Sequence, residues 1–197
     1  MIAIIDYRAG NLTSVKKAFD HLSAEAVVTD DPEVASRAAK LVLPGVGHFA
    51  ATTELSRDGL RGAIQKSIAA GKPFLGICVG MQWMLVGSSE APDVPGLGFI
   101  AASCQKFTSN DLKVPHVGWN RITKVRDSRL LKGIESGSFV YYAHSYFAPV
   151  TSDTVATTEY LGVYSAVVEN GNLFGVQFHP EKSGVVGLRL LKNFVEL

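Results

Sequence analysis

The chain has 197 residues, almost half of them hydrophobic, and 19 Lys and Arg nearly cancel 18 Asp and Glu to leave a formal net charge of +1. That length can bury a core without disulfides or a structural metal. So even a balance lacks the basic field that nucleic acid or an anionic membrane surface needs, and the apolar runs are too short to cross a bilayer.

Residues 1–5 are short, apolar and rich in isoleucine, which predicts a buried strand. No basic stretch precedes this run and no small-residue cleavage site follows it, so no signal peptide is expected. Asn11 offers a helix N-cap, and Leu12, Val15, Phe19 and Leu22 then recur at helical spacing. Residues 26–29 and 41–43 read as further short strands. Leu60, Ala63, Ile64 and Ile68 mark a second helix, stopped by Gly71 ahead of Pro73. A central strand is predicted over 74–77, and Met81, Gln82, Met84 and Leu85 suit a helix directly after it. Pro92, Pro95, Gly96 and Gly98 then interrupt the chain, and little helical period follows as far as Thr123. Strands are predicted over 139–143, 155–158, 166–169 and 173–178. The last two are joined by Glu169-Asn170-Gly171-Asn172, in which Asn-Gly supplies the positive φ of a tight hairpin turn. Leu188, Leu191, Phe194 and Val195 form one face of a final helix. The expected architecture is one α/β domain spanning 1–197: a mostly parallel central sheet flanked by helices, with an antiparallel addition in the C-terminal half.

The two cysteines, Cys78 and Cys104, make no disulfide framework, and a reducing cytoplasm is the expected compartment. His and Cys are too scattered for a zinc site, so no metal is expected. Around Cys78 the order is strand, Gly76-Ile77-Cys78-Val79-Gly80, helix. This is a nucleophile elbow with Cys in the place of Ser. Gly76 and Gly80 remove side chains that would clash in the sharp turn. The turn lifts Cys78 to the carboxyl end of a central strand, where open α/β sheets bind ligands. A helix N-terminus aimed at sulfur favours thiolate, and the Val79 N–H stays free for an oxyanion. A lone cysteine is more often packing, the reading given to Cys104.

A second strand ends in Gln177-Phe178-His179-Pro180-Glu181-Lys182. A neutral imidazole at His179 can take the thiol proton and return it to a leaving amine, and Glu181 can hold its tautomer. The competing reading is a strand-end His beside a solvated Glu. His21 is expected at the surface. His48, His116 and His144 are expected to fix loops.

Together, Gly-Ile-Cys-Val-Gly-Met-Gln and Gln-Phe-His-Pro-Glu-Lys resemble the class I, triad-type glutamine amidotransferases. Four further segments are similar to one branch of that family, the glutaminase subunits of imidazole glycerol phosphate synthases. They are Asp6-Tyr7-Arg8-Ala9-Gly10-Asn11-Leu12-Thr13-Ser14-Val15, Leu43-Pro44-Gly45-Val46-Gly47-His48-Phe49, Pro115-His116-Val117-Gly118-Trp119-Asn120 and Tyr142-Ala143-His144-Ser145-Tyr146. The resemblance covers nearly the whole chain. It departs from the family pattern at Arg8, where Gly is common, and at Val79, where Leu is common.

The resemblance implies that Cys78 is the nucleophile, His179 the general base and acid, and Glu181 its orienter. It implies that Val46 and Gly47 supply a second oxyanion donor beside Val79, and that Gln82, Glu90 and the backbone of Ser145 and Tyr146 hold glutamine. It implies no cofactor. The implied partner is a cyclase subunit, a (β/α)₈ barrel in a heterodimer, met by Trp119, Asn120, Tyr141 and Lys182. That cyclase joins the ammonia to a phosphoribulosyl intermediate, giving imidazole glycerol phosphate and an aminoimidazole carboxamide ribonucleotide in histidine biosynthesis. Three rivals remain. One is a glutaminase subunit of another synthase, such as that for pyridoxal phosphate. The second is a stand-alone γ-glutamyl hydrolase or cysteine peptidase, and the third is a non-catalytic binding subunit.

Overall fold

The computed structural model describes residues 1–57, 59–109 and 112–197. In chain order the first half runs β1 (Ile2–Ile5), α1 (Leu12–His21), β2 (Ala26–Thr29), α2 (Pro32–Arg37), β3 (Lys40–Gly45), α3 (Glu54–Arg57), α4 (Leu60–Ala69), β4 (Phe74–Cys78) and α5 (Val79–Trp83). The second half runs β5 (Leu85–Ser88), β6 (Ile100–Lys106), β7 (His116–Arg121), β8 (Thr123–Lys124), β9 (Phe139–His144), β10 (Tyr146–Phe147), β11 (Thr154–Glu159), β12 (Val163–Asn170), β13 (Leu173–Val176) and α6 (Gly184–Val195).

Eight strands form the main sheet in the order β2-β1-β3-β4-β13-β12-β11-β8. The five from β2 to β13 are parallel and the remaining pairings are antiparallel. β1, β4 and β13 are buried along their whole length, as strands covered on both faces must be. The hairpin between β12 and β13 lies one residue later than the Asn-Gly pair suggests. Asn170 still pairs with Leu173, so the loop is Gly171-Asn172, with Gly171 at φ +56°.

The expected helix after Cys78 is much shorter than its apolar spacing implies. It ends at Trp83, and Leu85 opens β5 instead. The returning chain takes the carbonyls that a longer helix would need. Leu97 donates to Trp83 O, Phe99 and Ile100 to Met84 O, and Gly98 to Leu85 O. β5, β6 and β10 form a small separate sheet, and β7 pairs antiparallel with β9 as a two-stranded ribbon. α2, the one-turn α3 and the strands β5, β6, β7, β8 and β10 are additions to the sequence reading. No helix among the described residues is long and apolar enough to cross a membrane.

Candidate active site

Three parallel strands deliver the site to one edge of the sheet. β3 ends at Gly45, paired in register with Cys78 at the end of β4, and β13 leads into residues 177–179 beside them. Cys78 takes φ +53°, ψ −108°, a strained conformation for a residue with a Cβ. The crowding that imposes it is visible in the glycines. A Cβ on Gly76 would lie 2.5 Å from the Gly80 backbone, and one on Gly80 would drive into Leu43 O. Gly45 has the same constraint, because a Cβ there would collide with the Tyr7 hydroxyl and the Val79 side chain.

His179 is 2 % exposed and its Nδ1 lies 2.9 Å from Glu181 Oε1. The Glu181 side chain is itself buried, and its Oε2 has no partner among the described residues. Glu181 is thus held against His179 rather than solvated. The His179 pKa is pushed up to about 10. Burial is the largest single influence and works the other way. It is outweighed by hydrogen bonds to Cys78 and Glu181 together with the negative charges they carry. A protonated imidazole at His179 is therefore what these surroundings favour.

A cavity of about 430 Å³ opens over Cys78. Ten of the residues expected at the site line it: Val46, Gly47, Cys78, Val79, Gln82, Glu90, Ser145, Tyr146, His179 and Lys182, joined by Asn11, Ala143 and His144. Glu181 stands behind His179, outside the cavity. Gly47 sits at φ +91° with open space around it, and Val46 is exposed. Gln82 spends both Nε2 protons on Tyr146 O and Gln177 Oε1, so it offers a ligand only its carbonyl oxygen. Glu90 Oε2 accepts from Phe49 N–H at 2.8 Å, which ties that carboxylate to the segment after β3. A larger hollow of about 910 Å³ lies along β5 and β6, but neither Cys78 nor His179 reaches it.

Trp119, Asn120 and Tyr141 lie outside the cavity on the β7–β9 ribbon, where Trp119 pairs with Tyr141. Their rings meet edge to face at 6.0 Å, and the Lys182 ammonium stands over the Tyr141 ring at 5.8 Å. Asn120 is less available than expected: Nδ2 donates to Glu159 O, and Oδ1 accepts from Arg121 N–H. His21 is exposed, and His48 caps the turn 49–53 by accepting from Ala50 N–H. His116 and His144 are buried in an aromatic cluster with Tyr142 and Tyr164 rather than placed in loops. Burial holds their pKa values down, at about 4 and about 3. Sequence reasoning missed Gln177, which is fully buried and donates from Nε2 to Cys78 Sγ at 3.7 Å. A polar residue inside the apolar run Val176-Gln177-Phe178 was the available signal. No group of His, Cys, Asp and Glu able to hold a metal occurs among the described residues.

Residues 3–197 match the family model described as "Glutamine amidotransferase class-I". The "Imidazole glycerol phosphate synthase subunit HisH" of Methanothermobacter thermautotrophicus is 47 % identical over 198 residues, covering 100 % of this chain and 98 % of that protein. The protein of the same name from Nitratidesulfovibrio vulgaris is 47 % identical over 203 residues, covering 98 % and 95 %. A crystal structure described as a glutamine amidotransferase superposes with a TM-score of 0.78 at 18 % identity, covering 100 % of this chain and 98 % of that one.

Proposed function

This chain belongs to the class I glutamine amidotransferase family, and from that premise we propose that it is the glutaminase subunit of an imidazole glycerol phosphate synthase, releasing ammonia from glutamine for histidine biosynthesis. The observation that carries the chemistry is His179, held by Glu181 on one nitrogen and lining, together with Cys78, a cavity sized for an amino acid.

In this reading glutamine enters with its side-chain amide over Cys78. The carboxylate of Glu90 and the carbonyl of Gln82 face its ammonium group, and the backbone of Ser145 and Tyr146 holds its α-carboxylate end. The thiolate attacks the amide carbon, and the oxyanion is received by Val79 N–H and by a peptide of Val46–Gly47 turned inward. The imidazolium of His179 gives its proton to the departing nitrogen, which leaves as ammonia. His179 then takes a proton from water as it attacks the thioester, glutamate departs, and the thiolate is restored.

Ammonia released into bulk water would be protonated and lost as a nucleophile, so the cavity mouth needs a cover. Trp119 is 55 % exposed beside Tyr141 and Lys182, and Lys182 belongs to both the cavity and this face. Large aromatic and cationic side chains are common interface anchors. The cover we propose is the cyclase subunit, a (β/α)₈ barrel in a heterodimer, which receives the ammonia. Residues 1–197 act as one amidotransferase domain without a cofactor. A cytoplasmic setting suits Cys78 and Cys104, both unpaired thiols.

The test is Cys78→Ala in the assembled synthase. Glutamine-dependent synthesis should be abolished while synthesis from added ammonia continues at the wild-type rate. Loss of both activities together would show Cys78 to be structural.

A further inference from the structure

A buried chain of amides ends on the sulfur of Cys78, and its polarity can be read from its far end. The carbonyl of Tyr146 can only accept, so the Gln82 atom 2.8 Å from it is the amide nitrogen. The second proton on that nitrogen goes to Gln177 Oε1 at 3.2 Å. With its oxygen committed, Gln177 turns its own Nε2 towards Cys78 Sγ, at 3.7 Å. Flipping either amide would set like against like. Tyr146 O also receives His144 Nδ1 at 2.9 Å, and His144 Nε2 lies 3.3 Å from the Tyr164 hydroxyl. A neutral His144 with its proton on Nδ1 therefore anchors the acceptor on which the amide chain hangs. Gln177 and Gln82 are almost wholly buried, so bulk water does not compete for these bonds.

A buried glutamine placed for stability alone has no need of sulfur, because a neutral thiol is a poor acceptor. An N–H aimed at sulfur has most value when the sulfur is anionic, since charge strengthens the hydrogen bond. We propose that Gln177 is a catalytic residue of this site: its amide N–H is a second donor, beside His179, to the Cys78 thiolate, locked in place by Gln82 and Tyr146. The inference rests on the glutaminase reading and deepens it. The donor stabilises the attacking thiolate and the thiolate expelled when the second tetrahedral intermediate collapses. It also holds the sulfur towards the cavity. Because Tyr146 O anchors the chain, the segment proposed to grip glutamine and the group proposed to steady the nucleophile share one fixed point.

The other titratable groups within electrostatic reach of Cys78 are His179, Tyr7, Tyr164 and Cys104. Glu90 and Lys182 share its cavity. None of these side chains is itself altered by a substitution at Gln177, so a change in thiolate formation reports on Gln177. The experiment is alkylation of the full chain by iodoacetamide across pH, read by mass spectrometry on the Cys78 peptide, with buried Cys104 as the internal control. In Gln177→Met the alkylation midpoint should rise by about one pH unit, and kcat for glutamine in the synthase complex should fall roughly tenfold with little change in KM. Should that variant not fold, Gln82→Met, which unties the Gln177 amide, should raise the midpoint part of the way. A midpoint equal to wild type in the folded variant overturns the proposal. The midpoints are read without turnover, so a wild-type complex that hydrolyses no glutamine would count against the glutaminase reading alone.

Discussion

The two sides of the proposed oxyanion site are built in opposite ways. On one side, Val79 follows Cys78 in a turn so crowded that added atoms on Gly76, Gly80 or Gly45 would run into backbone or side chain. On the other, Gly47 has nothing near its missing Cβ and sits at φ +91°, beside an exposed Val46. Both contribute to the same cavity wall. Glycine therefore serves space on the first side and conformation on the second. The crowded side is preorganised, with its N–H fixed before any ligand arrives. The open side can turn a peptide at low cost, so it is where we propose that a partner switches the site on.

The largest effect should come from filling the crowded side. Gly80→Ala drives a methyl group into Leu43 O, a backbone atom in the middle of the sheet. We expect a loss of about 3 kcal/mol or more in urea unfolding, the scale of severe overpacking. A loss below about 1 kcal/mol would mean that this turn has slack and the contrast is wrong. Gly47→Ala has room for its methyl group and should cost only about 1–2 kcal/mol in stability, through its positive φ. Its effect should appear in chemistry instead. Glutaminase kcat in the complex should fall at least tenfold, towards the ~100-fold typical of one lost oxyanion donor. Unchanged kcat would leave Val79 N–H as the only donor that matters.

This contrast also explains which parts of the molecule were legible in the sequence. The strands expected over 1–5, 26–29, 41–43 and 74–77 and the Cys78 elbow are written locally, in runs of apolar residues and paired glycines. His179 and Glu181 are two residues apart, so their contact is nearly local as well. The short α5 was not legible, because its end is set by hydrogen bonds from residues 97–100. The burial of His116 and His144 was hidden for the same reason: the rings they pack against come from β9 and β12. Gln177 looked like an ordinary strand residue until Cys78 and Gln82, both nearly a hundred residues earlier, were placed beside it.

The crowded side makes a last and smaller prediction, because a preorganised charge pair should be present in the isolated chain without any partner. His179 has its pKa raised from 6.5 to about 10, against the effect of burial, by the hydrogen bonds and charges of Cys78 and Glu181. A raised histidine contributes stability in full below pH 6.5, and that contribution is lost as the pH climbs towards 10. The unfolding free energy of the isolated chain should therefore decline across that window. Buried Tyr7 and Cys104, whose pKa values burial also raises, add to the decline at its alkaline end. They are common to wild type and Glu181→Gln, so the difference between the two chains isolates His179. Removing the Glu181 charge should bring the histidine pKa down and flatten the decline by on the order of 1 kcal/mol between pH 6.5 and pH 9.5. Urea titrations at both pH values measure it directly. Identical slopes in the two chains would mean that Glu181 does not act on His179 until the partner binds, and the triad would then belong with Gly47 on the switchable side.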